Sequence, residues 1–169
     1  KSGSMAILCK QIRPSNISDI AIINALGRPS SKDERQIYID RKFKGKEIKH
    51  LHPSLKCLDE TQGLCILEEQ LMAVAKDVAG WSLSRADGLR KLTKLKGKEP
   101  DFVLKLEADF ISGAMKTHDM SYELGKEIWN KVVEKFQGYG FNKAHAIFYS
   151  INGYYTAYLK RHFPAAFMA

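Results

Sequence analysis

Apolar residues along the chain fall mostly at three- and four-residue steps, with polar positions between them. That period predicts a mainly α protein: six or seven helices, little or no sheet, and one compact helical domain over residues 1–169. Ser18 is placed to cap a helix over 19–26, in which Ile20, Ile23 and Leu26 share a face and after which Gly27 acts as a stop. Arg28-Pro29-Ser30-Ser31 reads as a turn, followed by a charged helix over 33–43. Pro53 suits the first turn of a short helix through Leu58. The apolar run Gly63-Leu64-Cys65-Ile66-Leu67 fits a strand or a buried approach to the next helix, which periodicity does not separate.

Residues 68–79 form a helix with Leu71, Val74, Ala75 and Val78 inward and Gly80 as its stop. Ser84, three residues before Asp87, has the spacing of a capping box for a helix running toward Lys94. Lys96-Gly97-Lys98-Glu99-Pro100 then breaks it. An amphipathic helix follows over 101–115, another capped by Ser121 runs to about 136, and a long last one capped by Asn142 runs to about 162. Trp81 and Trp129 are expected in the core, as are most of Phe148, Tyr149, Tyr154, Tyr155 and Tyr158, which recur at helical spacing.

Composition leaves this picture of a globular domain intact: 44% hydrophobic and 27% charged residues are ordinary for a soluble fold. No stretch approaches the roughly 20 apolar residues of a membrane span, and Lys1-Ser2-Gly3-Ser4-Met5 has no apolar signal core. The expectation is a cytoplasmic protein without a membrane partner. With no Met at position 1, the chain reads as a piece of something longer. Cys9, Cys57 and Cys65 are odd in number and lack a C-x-x-C pair, which argues for reduced, buried thiols. A net charge of +8 changes the picture more, because it favours an acidic partner, nucleic acid first.

Carboxylates do not supply a two-metal centre for nucleotidyl transfer. Asp59-Glu60, Glu68-Glu69 and Glu107-Ala108-Asp109 are adjacent or two apart, so on a helix they diverge. There is no P-loop, no G-x-S-x-G and no zinc signature, and His50-Leu51-His52 has no carboxylate or thiol cluster beside it. Arg41-Lys42-Phe43-Lys44-Gly45-Lys46 is basic and expected to be exposed. A stronger excess follows: Arg85, Arg90, Lys91, Lys94, Lys96 and Lys98 stand against Asp87 alone within fourteen residues. On a regular helix Arg90 and Lys94 lie one turn apart with Lys91 beside them, a row able to meet successive phosphates. The alternative is a solvated face balanced by acids elsewhere.

Tyr139-Gly140-Phe141-Asn142-Lys143-Ala144-His145-Ala146 is the second candidate. Its glycine lets the backbone turn sharply, and the helix that follows presents free N–H groups and a positive dipole end. Lys143 and His145 add donors, and Tyr139 and Phe141 offer rings for stacking on a base. An ordinary capped helix with two core aromatics accounts for the same residues equally well.

This segment, with Tyr154-Tyr155-Thr156-Ala157-Tyr158-Leu159-Lys160, His162-Phe163-Pro164 and Phe167-Met168-Ala169, resembles the C-family polymerases, the alpha subunits of bacterial DNA polymerase III. The family there reads Y-G-F-N-K-S-H-A, Y-Q-T-A-Y-L-K and H-Y-P-x-x-F-M-A. Collinear matches precede it: His52-Pro53-Ser54-Leu55, Thr61-Gln62-Gly63 through Glu69-Gln70-Leu71-Met72, Ala79-Gly80-Trp81-Ser82-Leu83, and Ala86-Asp87-Gly88-Leu89-Arg90-Lys91. Departures are also evident. The family's Y-R-P-G-P turn appears as Gly27-Arg28-Pro29-Ser30-Ser31, Y-Q-E-Q carries Leu67 and Glu68 in its first two places, and A-M-G-K-K becomes Leu92-Thr93-Lys94-Leu95-Lys96. These mark a divergent member, and a phage-encoded origin fits them.

The resemblance implies the fingers region of a DNA-directed DNA polymerase. Catalytic carboxylates and Mg²⁺ would lie in a palm outside this chain, and the fragment alone would bind no cofactor and be inactive. Its partners would be the incoming deoxynucleoside triphosphate, template-primer DNA, the remaining polymerase domains and other replisome subunits. Carried over, Arg90, Lys91, Asn142, Lys143 and His145 would bind the nucleotide, and Arg28, Lys94, Lys96 and Lys98 would meet DNA phosphates. The rival expectation is a free-standing helical DNA-binding or replisome-interaction module without polymerase activity. A plain scaffold bundle with a solvated basic face is the third.

Overall fold

The structure is a computed structural model and describes residues 3–28, 31–95, 98–136 and 140–168. Among these residues there are ten α-helices, joined by short 3-10 and π turns, and no strand, in agreement with the expected mainly α class. No helix among them is long and apolar enough to cross a membrane. The chain divides into two compact units, one of residues 1–35 with 142–169 and one of residues 36–141.

In the first unit lie α1 (Gly3–Ile12), α2 (Ile17–Leu26), the first turn of α3 (Lys32–Lys44), α9 (Lys143–His162) and α10 (Pro164–Met168). Helix α2 starts two residues earlier than Ser18 predicts. Asn16, extended and at the true cap, accepts the Asp19 N–H at 2.8 Å, while Asp19 itself accepts from the Ser15 N–H and hydroxyl at 2.9 Å. Ala21, Ile22, Ile23, Ala25 and Leu26 are all buried, so α2 is apolar nearly all round, as a helix packed on several sides must be. It packs on α9, where the Asn24 amide donates to the Ser150 hydroxyl at 3.1 Å.

The expectation that the α9 aromatics are core is overturned: Phe148, Tyr149, Tyr154, Tyr155 and Tyr158 are all exposed. Length exposes Tyr154, Tyr155 and Tyr158: a 20-residue helix runs about 30 Å and a 10-residue one about 15 Å, so α9 outruns α2 and no described residue past Ser150 is buried. Phe148 and Tyr149 are exposed in the first half because the helix turns them off the face that buries Ala146 and Ser150.

The second unit is built round α4 (Glu68–Ala79) and α7 (Pro100–His118). A 3-10 helix, Pro53–Thr61, lies on α4, with Leu55 and Leu58 inward, and His52 caps it by accepting the Ser54 N–H. The apolar run at 63–67 is an irregular buried approach. Gln70 Oε1 accepts the N–H groups of Ile66 and Leu67, so two buried donors are paired without a sheet. Helix α7 is longer than 101–115 at both ends: Pro100 suits its first turn, and it continues until Asp119 adopts a left-handed φ of +53°.

Ser121 caps α8 (Tyr122–Ile128) as expected, by accepting the Leu124 N–H at 3.2 Å. A π turn at Trp129–Val133 and a 3-10 turn at Glu134–Phe136 then carry the chain to 136. These turns aim Trp129, Val133 and Phe136 into one core with Leu71, Val74, Val78, Trp81 and Phe110. Trp81 and Trp129 are buried as predicted, with Phe110 between them at 6.2 and 5.5 Å between ring centroids. The cysteines carry no disulfide. Cys57 and Cys65 are half-buried, and burial pushes the Cys57 thiol up to about 11, but Cys9 is exposed and not buried as expected.

Candidate functional site

The basic segment begins where α4 ends. Gly80 closes α4 in a left-handed conformation, Trp81 enters the core, and Ser82 accepts the Arg85 N–H to start α5 (Leu83–Asp87). Ser84 is therefore inside the helix, and the capping box expected of Ser84 and Asp87 does not form. The helix does not run on regularly to Lys94. Gly88–Lys91 tightens to 3-10, and α6 (Leu92–Leu95) follows.

Ala86, Leu89 and Leu92 are fully buried at steps of three, the repeat of a three-residue turn. The regular helix expected to run toward Lys94 is thus interrupted at Gly88–Lys91, and Arg90 pairs with Asp87 three residues before it.

Each cation meets a different fate. Arg85 lies over the Trp81 ring at 4.5 Å and donates to Asp109 at 2.8 Å. It lines a cleft of about 440 Å³ with Trp81, Asp109, Gly113, Lys116 and Thr117, which holds none of the predicted nucleotide residues. Arg90 donates from Nε to one oxygen of Glu68 at 3.0 Å, its Nη2 forms an ion pair with the same oxygen at 2.9 Å, and Nη1 donates to Asp87 at 3.4 Å. These carboxylates, Glu68 above all, push the Arg90 pKa up and hold it charged. Lys91, Lys94 and Lys98 are exposed, and no ion pair joins them to a carboxylate among the described residues. Lys96 lies outside the described residues.

The basic run Arg41–Lys46 forms the last turn of α3 and the residues just past it. Lys44 and Lys46 are exposed as expected, whereas Arg41 and Lys42 are half-buried, and the ammonium groups of Lys44 and Lys46 turn back onto Asp40, at 2.8 and 2.7 Å. His50 faces Asp59 at 2.6 Å, and the His52 ring stands 5.0 Å from that of His118. Among the described residues no group of three or more His, Cys, Asp or Glu side chains gathers as metal ligands.

In the first unit, the start of α9 has the predicted cap. Asn142 is extended and accepts the His145 N–H at 2.9 Å. Lys143 is half-buried, and His145 is exposed with its ring 4.5 Å from that of Tyr149. Arg28 is half-buried, and its carbonyl accepts from Arg35 Nη2 at 3.2 Å. In the second unit, Phe141 is half-buried and its carbonyl accepts the Glu68 N–H at 3.0 Å, while Tyr139 lies outside the described residues. The predicted nucleotide residues thus fall in both units, Arg90 and Lys91 in one and Asn142, Lys143 and His145 in the other.

Glu68 and Asp109 were not among the predicted site residues. Each meets its arginine across more than twenty residues of sequence, and nothing in a local pattern marks such a partner.

Comparison with known proteins accounts for the pattern of matches. Residues 1–118 match the bacterial DNA polymerase III alpha subunit finger domain. DNA polymerase III subunit alpha of Halalkalibacterium halodurans is 39% identical over 171 residues, covering all of this chain and 15% of that protein. The alpha subunit of Bacillus subtilis is 37% identical over 99% of this chain and 15% of its own length. That of Borreliella burgdorferi is 40% identical over all of this chain and 14% of its own. The chain therefore spans only about a seventh of these relatives, but its match to them continues through the Gly-Phe-Asn-Lys helix start, past the end of the finger-domain match. The chain belongs to the finger-domain family of the bacterial DNA polymerase III alpha subunit.

Proposed function

We propose that these residues act as the fingers of a replicative DNA polymerase, binding the incoming deoxynucleoside triphosphate and template-primer DNA. Nucleotidyl transfer itself belongs to palm carboxylates outside this chain, where Mg²⁺ supplies charge neutralisation of the phosphates. The observation that carries the proposal is the similarity to polymerase alpha subunits along the whole of this chain, together with the cations in the motifs that resemble theirs. Arg90 and Lys91 hold the triphosphate, the first as a planar fork and the second as a mobile point charge. Asn142 orders the first turn of α9, so that Lys143, His145 and the turn's N–H groups meet the nucleotide. Lys94, Lys96 and Lys98, with Arg28, neutralise DNA phosphates. The other polymerase domains and replisome subunits are the protein partners, and the cytoplasm is the place of action.

Phosphoryl transfer depends on positioning and on electrostatic stabilisation of charge spread over the phosphate oxygens. Removing one charge-assisted hydrogen bond costs about 1.5–3 kcal/mol, or roughly ten- to a hundredfold in kcat/KM. In the intact polymerase, Arg90→Ala and Lys143→Ala are each expected to lower kcat/KM for the nucleotide by about tenfold or more. Unchanged steady-state and single-turnover kinetics in both variants would sink the assignment.

A further inference from the structure

Arg90 does not present its whole fork. The Nε and Nη2 edge, with which an arginine grips a phosphate bidentately, converges on Oε2 of Glu68 at 3.0 and 2.9 Å. Glu68 opens α4, where a negative charge is favoured by the helix dipole, and its side chain is 14% exposed against 44% for Arg90. Its backbone is tied as well, through the N–H that donates to Phe141. The carboxylate is therefore the fixed partner and the guanidinium the mobile one. A glutamine oxygen accepts from the same guanidinium edge without cancelling its charge.

We infer that Glu68 is a positioning residue that sets nucleotide affinity: it holds Arg90 as a counter-charge, and a triphosphate must displace it from the Nε–Nη2 edge. The inference rests on the proposed phosphate role of Arg90 and adds the competitor for that role. Phosphate and carboxylate oxygens compete for the same donors, so nucleotide binding releases Glu68 without any change in the fold. The carboxylate thus weakens ground-state binding of the triphosphate while keeping Arg90 in reach of it.

The test compares the intact polymerase on primed DNA as wild type, Glu68→Gln, Arg90→Ala and the double variant. Glu68→Gln is expected to lower the nucleotide KM by about two- to fivefold, the range of a partly exposed ion pair, with kcat unchanged. The gain shrinks at high salt and vanishes in the Arg90→Ala background. If Arg90→Ala raises KM but Glu68→Gln leaves it unmoved or raised, the role of Glu68 is overturned and that of Arg90 stands. A gain that persists in full without Arg90 overturns it too. A silent Arg90→Ala removes the phosphate role and, with it, the competitor. Glu68→Asp, which withdraws the carboxylate by one methylene, must shift KM in the same direction as Glu68→Gln, and a shift the other way counts against the inference even where the glutamine variant folds poorly.

Discussion

Asp40 illustrates how a single residue alters the meaning of a charge run. Its carboxylate is buried on α3 and accepts from Gln36 at 2.8 Å as well as from Lys44 and Lys46. Hydrogen bonds from Lys44, then from Lys46 and Gln36, hold its pKa far below the ordinary carboxylate value. In the unfolded chain that value returns to about 3.9, so on acidification the unfolded state takes up the proton first. The stability contributed by Asp40 is therefore present above about pH 4 and is lost progressively below it. Urea midpoints measured between neutral pH and pH 2 should fall less steeply for Asp40→Asn than for the wild type. Coincident acid limbs would show that the carboxylate is not coupled to folding. A run of like charges thus reads as an exposed polyanion-binding face only until its buried counter-charge is located, and half of this one is already answered from within.

At the scale of elements, the closeness of α4 and α7 depends on a glycine that carries no sequence signal. A Cβ on Gly113 would stand 2.3 Å from the Ala79 carbonyl oxygen and 3.0 Å from the Ala79 Cβ. The obstacle is backbone, so the helices themselves must part. Gly113→Ala is accordingly expected to lose about 1–3 kcal/mol, although alanine is the better helix former. Equilibrium denaturation of the variant checks this, and a midpoint equal to or above that of the wild type excludes the close crossing. Gly80, by contrast, was legible: a glycine after an amphipathic run is the usual helix stop, and its φ of +66° is one that L side chains rarely adopt. Caps were legible where a Ser or Asn preceded the helix directly, at Ser121 and Asn142. They were misplaced where two candidates stood two residues apart, Asn16 against Ser18 and Ser82 against Ser84. Side-chain type alone does not choose between such neighbours; the extended backbone at Asn16 and Ser82 does.

For the whole molecule, the +8 charge matters through the cations that remain unanswered after folding. Arg85, Lys44 and Lys46 are paired, whereas Lys91, Lys94 and Lys98 are exposed without an ion pair among the described residues. If these three meet phosphates, replacing them by Gln should make the binding of primed DNA to the polymerase less dependent on salt. The slope of log K against log salt should fall by about 0.7–0.9 for each phosphate no longer neutralised. Equilibrium binding across a salt series measures it, and equal slopes would assign the three lysines to solvent.

The sequence by itself determined the helical class, the caps at Ser121 and Asn142, the burial of both tryptophans and the polymerase family, because helical periodicity, capping and collinear motifs are all local or ordered along the chain. Only the tertiary structure decided that Arg90 meets Glu68, that Arg85 meets Asp109 and that the second half of α9 exposes its aromatics. Those outcomes depend on which helix lies beside which and how far each extends, and the period of a single helix carries no information about its neighbour.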